Sequence, residues 1–162
     1  MRSRKTKNKK VKNAKECVFD NIKFKSQLEC KCYQKLLENG FDVKYEPFKL
    51  KLFEGFYPKN FTWYQPVKQK STKKYIFKQI YKKILDITYT PDFFVWFKNC
   101  KVFIETKGKP NDSYPLKKKL FLKKLSEFAE KYSNEKYYFF EPHNQQQIDE
   151  LITILKNIKN ND

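Results

Sequence analysis

Arginine is nearly absent: Arg2 and Arg4 are the only two among 36 basic residues. The accompanying richness in Lys, Asn, Ile, Phe and Tyr is what an AT-rich coding sequence produces, so lysine in place of arginine carries no functional information. Acid is missing from two long stretches, residues 1–15 and 55–85. No apolar run reaches the length of a membrane span, and no apolar segment follows the basic N-terminal residues. A membrane-spanning helix and a secretory signal are therefore not expected. The four cysteines lack the two-residue knuckle spacing of a thiolate zinc site. Cys30 and Cys32, one residue apart in a helical pattern, exclude a disulfide with each other. Reduced, structural thiols in a cytoplasmic chain are the expectation. The one histidine, His143 in "EPHNQQQ", reads as a loop or cap residue.

What is present is positive charge. A net charge of +18 over 162 residues, with a pI near 9.6, favours a polyanionic partner, most simply nucleic acid. The length suits one domain with one modest core. Residues 1–15 read as a basic flexible arm, either a solvated tail or a phosphate-binding segment. A single domain is expected over 16–162.

Within that domain, "FKSQLECKCYQKLLENG" (24–40) predicts a helix with Ser26 as N-cap and Gly40 as its stop. "FDVKYEPFKLKLF" (41–53) predicts a strand with an edge or bulge at Pro47. Residues 86–97 and 100–108 predict two strands joined by a tight turn at Lys98-Asn99. Residues 113–132 predict a helix with an apolar stripe at Phe121, Leu125, Phe128 and Tyr132 and lysines clustered early. A short buried strand over 136–142 and a last helix over 144–159 complete a mixed α/β domain around a central sheet. Between them, residues 55–85 hold eight lysines and eight aromatics. They read either as an amphipathic hairpin or helix whose rings pack, or as a nucleic-acid-facing insertion.

The stretch "YTPDFFVWFKNCKVFIETKGKP" (89–110) carries the chemistry. A two-residue turn at Lys98-Asn99 pairs Phe97 with Cys100, so residues whose numbers sum to 197 stand opposite each other. Asp92 then faces Glu105 at a Cβ separation of about 5 Å. Lys107 shares the face of Glu105, two residues away on one strand. Two carboxylates that close repel unless a proton or a metal separates them, and a hard divalent cation suits the pair. A turn residue and a solvated strand end are the ordinary alternatives.

"TPDF", followed thirteen residues after its Asp by "ETKG", resembles the PD-(D/E)XK nuclease signature. The neighbouring residues are most like phage endonuclease I-type Holliday-junction-resolving enzymes. The TPDF stretch is similar also to the endonuclease subunit of heteromeric transposases. The likeness spans roughly residues 22–158. It implies a restriction-endonuclease-like core in α-β-β-β-α-β order. It also implies metal ligation by Asp92, Glu105 and the backbone carbonyl of Thr106, with Lys107 assisting the attacking water. Many members add an acid from the first helix, here Glu29, although Ser26-Gln27-Leu28-Glu29 also fits a capping box. The segment before TPDF is longer than in the family, owing to residues 55–85.

The expectation is an Mg²⁺-dependent (or Mn²⁺-dependent) DNA endonuclease, phage-encoded and acting in the host cytoplasm on branched or distorted DNA, with no membrane partner. Lys70, Lys73, Lys74, Lys109, Lys117 and Lys118 are the expected phosphate contacts. A homodimer follows from the resemblance, since two strands must be cut together. The rivals are a non-catalytic nucleic-acid binder on the same fold and a small basic RNA-associated protein.

Overall fold

The computed structural model describes residues 15–108 and 112–161. The basic arm up to residue 14, and Lys109, lie outside the described residues. In chain order the elements are β1 (Cys17–Phe19), β2 (Ile22–Phe24), α1 (Gln27–Glu38), β3 (Val43–Tyr45), β4 (Leu50–Phe53), β5 (Trp63–Lys68), β6 (Tyr75–Ile80), β7 (Ile87–Tyr89), β8 (Phe93–Phe97), β9 (Cys100–Ile104), α2 (Tyr114–Lys131), β10 (Lys136–Phe140) and α3 (Gln145–Asn161). This is the expected mixed α/β class. Its centre is a four-stranded sheet ordered β10-β9-β8-β3, parallel between β10 and β9 and antiparallel elsewhere.

Side chains alternate across this sheet, and each face carries its own core. Phe93 and Val95 of β8, with Val102 and Ile104 of β9, point toward Leu36 of α1 and Ile148, Leu151 and Leu155 of α3. Phe94 of β8 and Phe103 of β9 point the other way, toward Phe121 and Leu125 of α2. Helices therefore cover both faces, α1 and α3 on one and α2 on the other.

Several expected elements are interrupted. The strand expected over 41–53 divides into β3 and β4, because Glu46 takes a left-handed φ of 42° and Pro47 follows it. The expected edge at Pro47 is realised: β3 ends the sheet, and the chain leaves it there. The strand expected over 86–97 divides as well. Its first part, β7, pairs with β4 in a separate ribbon, and Thr90-Pro91-Asp92 separates it from β8. β9 stops at Ile104, short of 108. Of the α2 stripe, Phe121 and Leu125 are buried and Phe128 packs beside them, but Tyr132 is exposed at the helix end. β10 is half-buried because it is the other sheet edge.

One element was not expected from the sequence. β1 and β2 form a hairpin through Asp20 and Asn21, both at positive φ (51° and 58°), the backbone of a type I′ turn. The Asp-Asn pair was the signal for it. All four cysteines are free thiols, as expected.

Residues 55–85 form a hairpin, β5 against β6, standing beyond the β4–β7 ribbon. The link between the two ribbons is tight. Gly55 N–H donates to Asp86 Oδ1 at 2.6 Å, and a Cβ on Gly55 would lie 2.4 Å from the Ile84 carbonyl oxygen. Only glycine lets the strands cross there.

Phe121 holds the α2 face together, with its ring centroid 4.7 Å from Tyr89, 5.4 Å from Phe103 and 5.5 Å from Phe139. Phe121→Ala should cost about 3–5 kcal/mol in chemical denaturation, as large aromatic truncations in cores do. A loss under about 1 kcal/mol would mean that α2 does not depend on this packing.

Candidate active site

The turn at Lys98-Asn99 sets the geometry. Lys98 takes a φ of 49°, and β8 pairs with β9 from Phe97–Cys100 to Phe93–Ile104, the register in which numbers sum to 197. Asp92 and Glu105 are the next residues on either strand. They sit past the last ladder pair, where the sheet ends. β10 continues alongside: Glu105 N–H donates to the Phe140 carbonyl and Lys107 N–H to the Pro142 carbonyl, each at 3.0 Å. The Glu105–Lys107 backbone is thereby an extension of the parallel ladder rather than a free strand end.

Each carboxylate is fixed by its own donors. Asp92 Oδ2 accepts from Thr106 N–H at 2.8 Å and from Thr106 Oγ1 at 2.7 Å. Glu105 is buried; its Oε1 accepts from Lys107 Nζ and its Oε2 from the Tyr89 hydroxyl, both at 2.7 Å. Lys107 Nζ also lies 3.9 Å from the centroid of the Tyr114 ring, a cation–π contact. The site thus contains the expected Asp92, Glu105, Thr106 and Lys107, and adds Tyr89 and Tyr114. Those tyrosines were missed because a tyrosine next to an apolar run reads as core. Burial, and then the charge and hydrogen bond of Glu105, hold the Tyr89 phenol far above its usual range, so it remains a donor.

Glu29 has a double situation. Ser26 Oγ accepts from Glu29 N–H at 3.2 Å and donates to Glu29 Oε1 at 3.0 Å, while Glu29 Oε2 accepts from Lys25 N–H at 3.0 Å. The capping alternative is therefore realised, with the returning bond taken from Lys25 rather than Ser26. The Tyr45 hydroxyl also donates to Glu29 Oε2, at 2.8 Å. A cap at a solvated helix start needs no such third donor and no burial, yet Glu29 is buried. Its charge also reaches Asp92.

The result is electrostatic crowding. Burial first, then the charges of Glu105 and Glu29, push the Asp92 carboxyl up to about 8, against the two Thr106 hydrogen bonds that favour ionisation. Among the described residues no three His, Cys, Asp or Glu side chains converge as a ready-made metal cluster. What stands there is a set of oxygen donors whose mutual repulsion a hard cation would relieve. In that chemical sense Asp92 and Glu105 fit a divalent ion. Glu29, already bonded to its cap and to Tyr45, adds charge that reaches Asp92 without joining the pair in a cluster.

Of the expected phosphate-binding lysines, Lys70, Lys73 and Lys74 are exposed at the tip of the β5–β6 hairpin. Lys117 is half-buried early in α2. Lys118 is half-buried and paired: its Nζ lies 2.6 Å from Glu141 Oε2, which also accepts from the Tyr114 hydroxyl at 2.6 Å. Burial opposes ionisation of Glu141, but the Lys118 and Tyr114 bonds outweigh it and hold its carboxyl below the usual value. His143 lies in the loop before α3, as expected, with Nε2 3.2 Å from Glu141 Oε1. No helix among the described residues is long and apolar enough to cross a membrane.

The fold and the acid-lined strand ends define an α/β protein with a concentrated polar site at one end of its sheet. The chain belongs to the family described as "Protein of unknown function (DUF1064)", whose profile matches residues 8–139. That match covers β1 through most of β10 and so includes Glu29, Asp92, Glu105 and Lys107. No curated protein and no solved structure matched the chain.

The crowding of Asp92 has a measurable sign. Its folded value lies above the ordinary carboxyl value of 3.8, so between about pH 4 and pH 8 the folded chain binds the proton more tightly than the unfolded one. The Asp92 contribution to stability is then full at low pH and lost as pH rises through that window. In EDTA, the Tm of the parent should fall relative to that of Asp92→Asn as pH rises from about 4 to 8. A constant difference between the two would show that the site is not crowded.

Proposed function

We propose that this protein is a metal-dependent DNA endonuclease of PD-(D/E)XK type, cutting branched or distorted DNA. The observation that carries the reading is Asp92 opposite Glu105, with the Lys107 ammonium 2.7 Å from Glu105 Oε1, at the end of a sheet in a chain of net charge +18. A binder of polyanions has no use for a crowded acid pair, which repels phosphate. The order of helix, antiparallel strands, helix and parallel edge strand also agrees with the restriction-endonuclease-like core that the sequence signature implies.

Asp92 and Glu105 would hold Mg²⁺ or Mn²⁺ together with the Thr106 carbonyl, and Glu29 would add the third negative charge. The cation, when bound, supplies an acidified water and neutralises charge on the scissile phosphate. The remaining work falls to the chain's own groups. Thr106 fixes the Asp92 carboxylate through two bonds to one oxygen, which orients the other oxygen. Tyr89 fixes Glu105 from the α2 side, and burial keeps its proton in place. Lys107, held over Tyr114, orients the attacking water and offsets charge as the phosphorus–oxygen bond breaks. The lysine field gives affinity with little base preference, since phosphate contacts position a protein without reading sequence. Action as a homodimer suits a substrate with two strands to cut.

The decisive assay compares linear, nicked and four-way DNA with Mg²⁺ and with EDTA. Glu105→Gln keeps the volume and removes a charge, so cleavage should fall by about 100-fold or more while DNA affinity in EDTA stays within about threefold. Wild-type cleavage rates in this variant would refute the catalytic assignment. Uncut DNA in every arm, with binding intact, would favour the non-catalytic rival.

Glu29 is separable from its cap. An amide can accept the Lys25 and Tyr45 bonds through its oxygen and donate to Ser26 Oγ through its nitrogen. Glu29→Gln should therefore keep the parent Tm in EDTA yet slow cleavage and raise the Mg²⁺ concentration needed for it. Glu29→Ala should also lose about 1 kcal/mol of stability. Parent-like cutting by the Gln variant at limiting Mg²⁺ would assign Glu29 to capping alone.

A further inference from the structure

The β5–β6 hairpin buries little. Register places Tyr64, Pro66 and Lys68 opposite Gln79, Phe77 and Tyr75, so these six share one face. On that face Tyr64 is 55 % exposed, Tyr75 68 % and Phe77 74 %. The opposite face carries Trp63, Ile76 and Ile80, all half-buried, with Lys82 Nζ 5.0 Å from the Trp63 ring. The rings that the packed-insertion reading would bury are therefore the ones left in water. Acid is absent from residues 55–85, while Lys68 shares the ring face opposite Tyr75, Lys78 stands on the other face opposite Gln65, and Lys70, Lys73 and Lys74 lie at the tip.

We propose that this face is a stacking platform for unpaired bases of DNA, with the flanking lysines on the phosphates. Duplex bases are already stacked and hide their faces, whereas single strands and branch points expose them. Tyr75 and Phe77 are two residues apart on one strand and so lie about 7 Å apart along it, about twice the 3.4 Å spacing of stacked bases. One base inserted between them meets a ring on each side. A protein partner matched to lysines alone would be acidic and would have no use for three open rings; a nucleic acid uses both. The arm is also continuous with the site: β6 leads through Ile84 and Asp86 to β7, whose Tyr89 holds Glu105 three residues before Asp92. This inference deepens the nuclease reading by naming the DNA feature recognised, and it rests on that reading for the choice of DNA.

The test is equilibrium binding in EDTA, so that it does not depend on cleavage. The probes are a single-stranded 20-mer, a blunt duplex, a four-way junction with an open centre, and an RNA 20-mer of the same sequence. Tyr64→Ala/Tyr75→Ala/Phe77→Ala should weaken single-strand and junction binding by about 30-fold or more. Duplex binding should change by less than about threefold. Tyr64→Phe/Tyr75→Phe keeps the rings and should bind as the parent, which guards against loss of the hairpin itself. Lys70→Ala/Lys73→Ala/Lys74→Ala should weaken all ligands and lower the salt dependence by about one unit of slope for each phosphate no longer neutralised. Equal losses on duplex and single strand in the ring variant would overturn the platform. So would parent-like DNA binding accompanied by loss of self-association, which would make the face an interface between copies. Tighter binding of the RNA than of the DNA 20-mer would overturn the choice of DNA. A parent that binds single strands through the rings but never cuts would leave this inference standing and remove the nuclease reading.

Discussion

Repulsion among carboxylates confined at the end of the β8–β9 pair is the constraint on which the site depends. In water two such groups would separate; here the ladder register and the β10 extension hold them on neighbouring strand ends. The surroundings answer that repulsion one group at a time. Thr106 binds Asp92, Lys107 and Tyr89 bind Glu105, and Ser26, Lys25 and Tyr45 bind Glu29. Those donors do not remove the repulsion, and ionisation of Asp92 remains opposed. Such a site is poised to gain stability from any hard cation that enters it.

Lys107 is the positive charge that bonds Glu105 inside that site, while the lysines of the β5–β6 arm stand exposed on a separate hairpin. Lys118 belongs to neither role as a free group, because Glu141 holds it beside Tyr114 and so beside Lys107. This second acid–base pair braces the wall against which the Lys107 ammonium rests. Lysines thereby take up different positions: Lys107 and Lys118 are bonded to acids around the site, and Lys73 and Lys74 are exposed on the hairpin.

Local chemistry made much of this legible beforehand. Ser26 and Gly40 mark the ends of α1 because a hydroxyl cap and a left-handed stop (φ 70° at Gly40) are properties of single residues. The register that sets Asp92 opposite Glu105 follows from a two-residue turn and the period of two along a strand. The α2 stripe was readable for the same reason, except at Tyr132, where the helix had run out of sheet to cover.

Long-range pairing decided the rest. Nothing within residues 86–97 says that Ile87–Tyr89 leaves the central sheet to pair with Leu50–Phe53; that depends on Glu46 and Pro47 turning a distant strand away. The capping box of Glu29 lies in four consecutive residues, but its burial depends on Tyr45 arriving from β3. Composition showed that residues 55–85 mix lysine with aromatic rings, and could not say whether the rings would be covered. Their exposure was decided by the fold, because a two-stranded arm beyond Gly55 has no third layer to cover Tyr64, Tyr75 and Phe77. Periodicity and capping are encoded in neighbouring residues. Burial is a property of what the rest of the chain brings alongside.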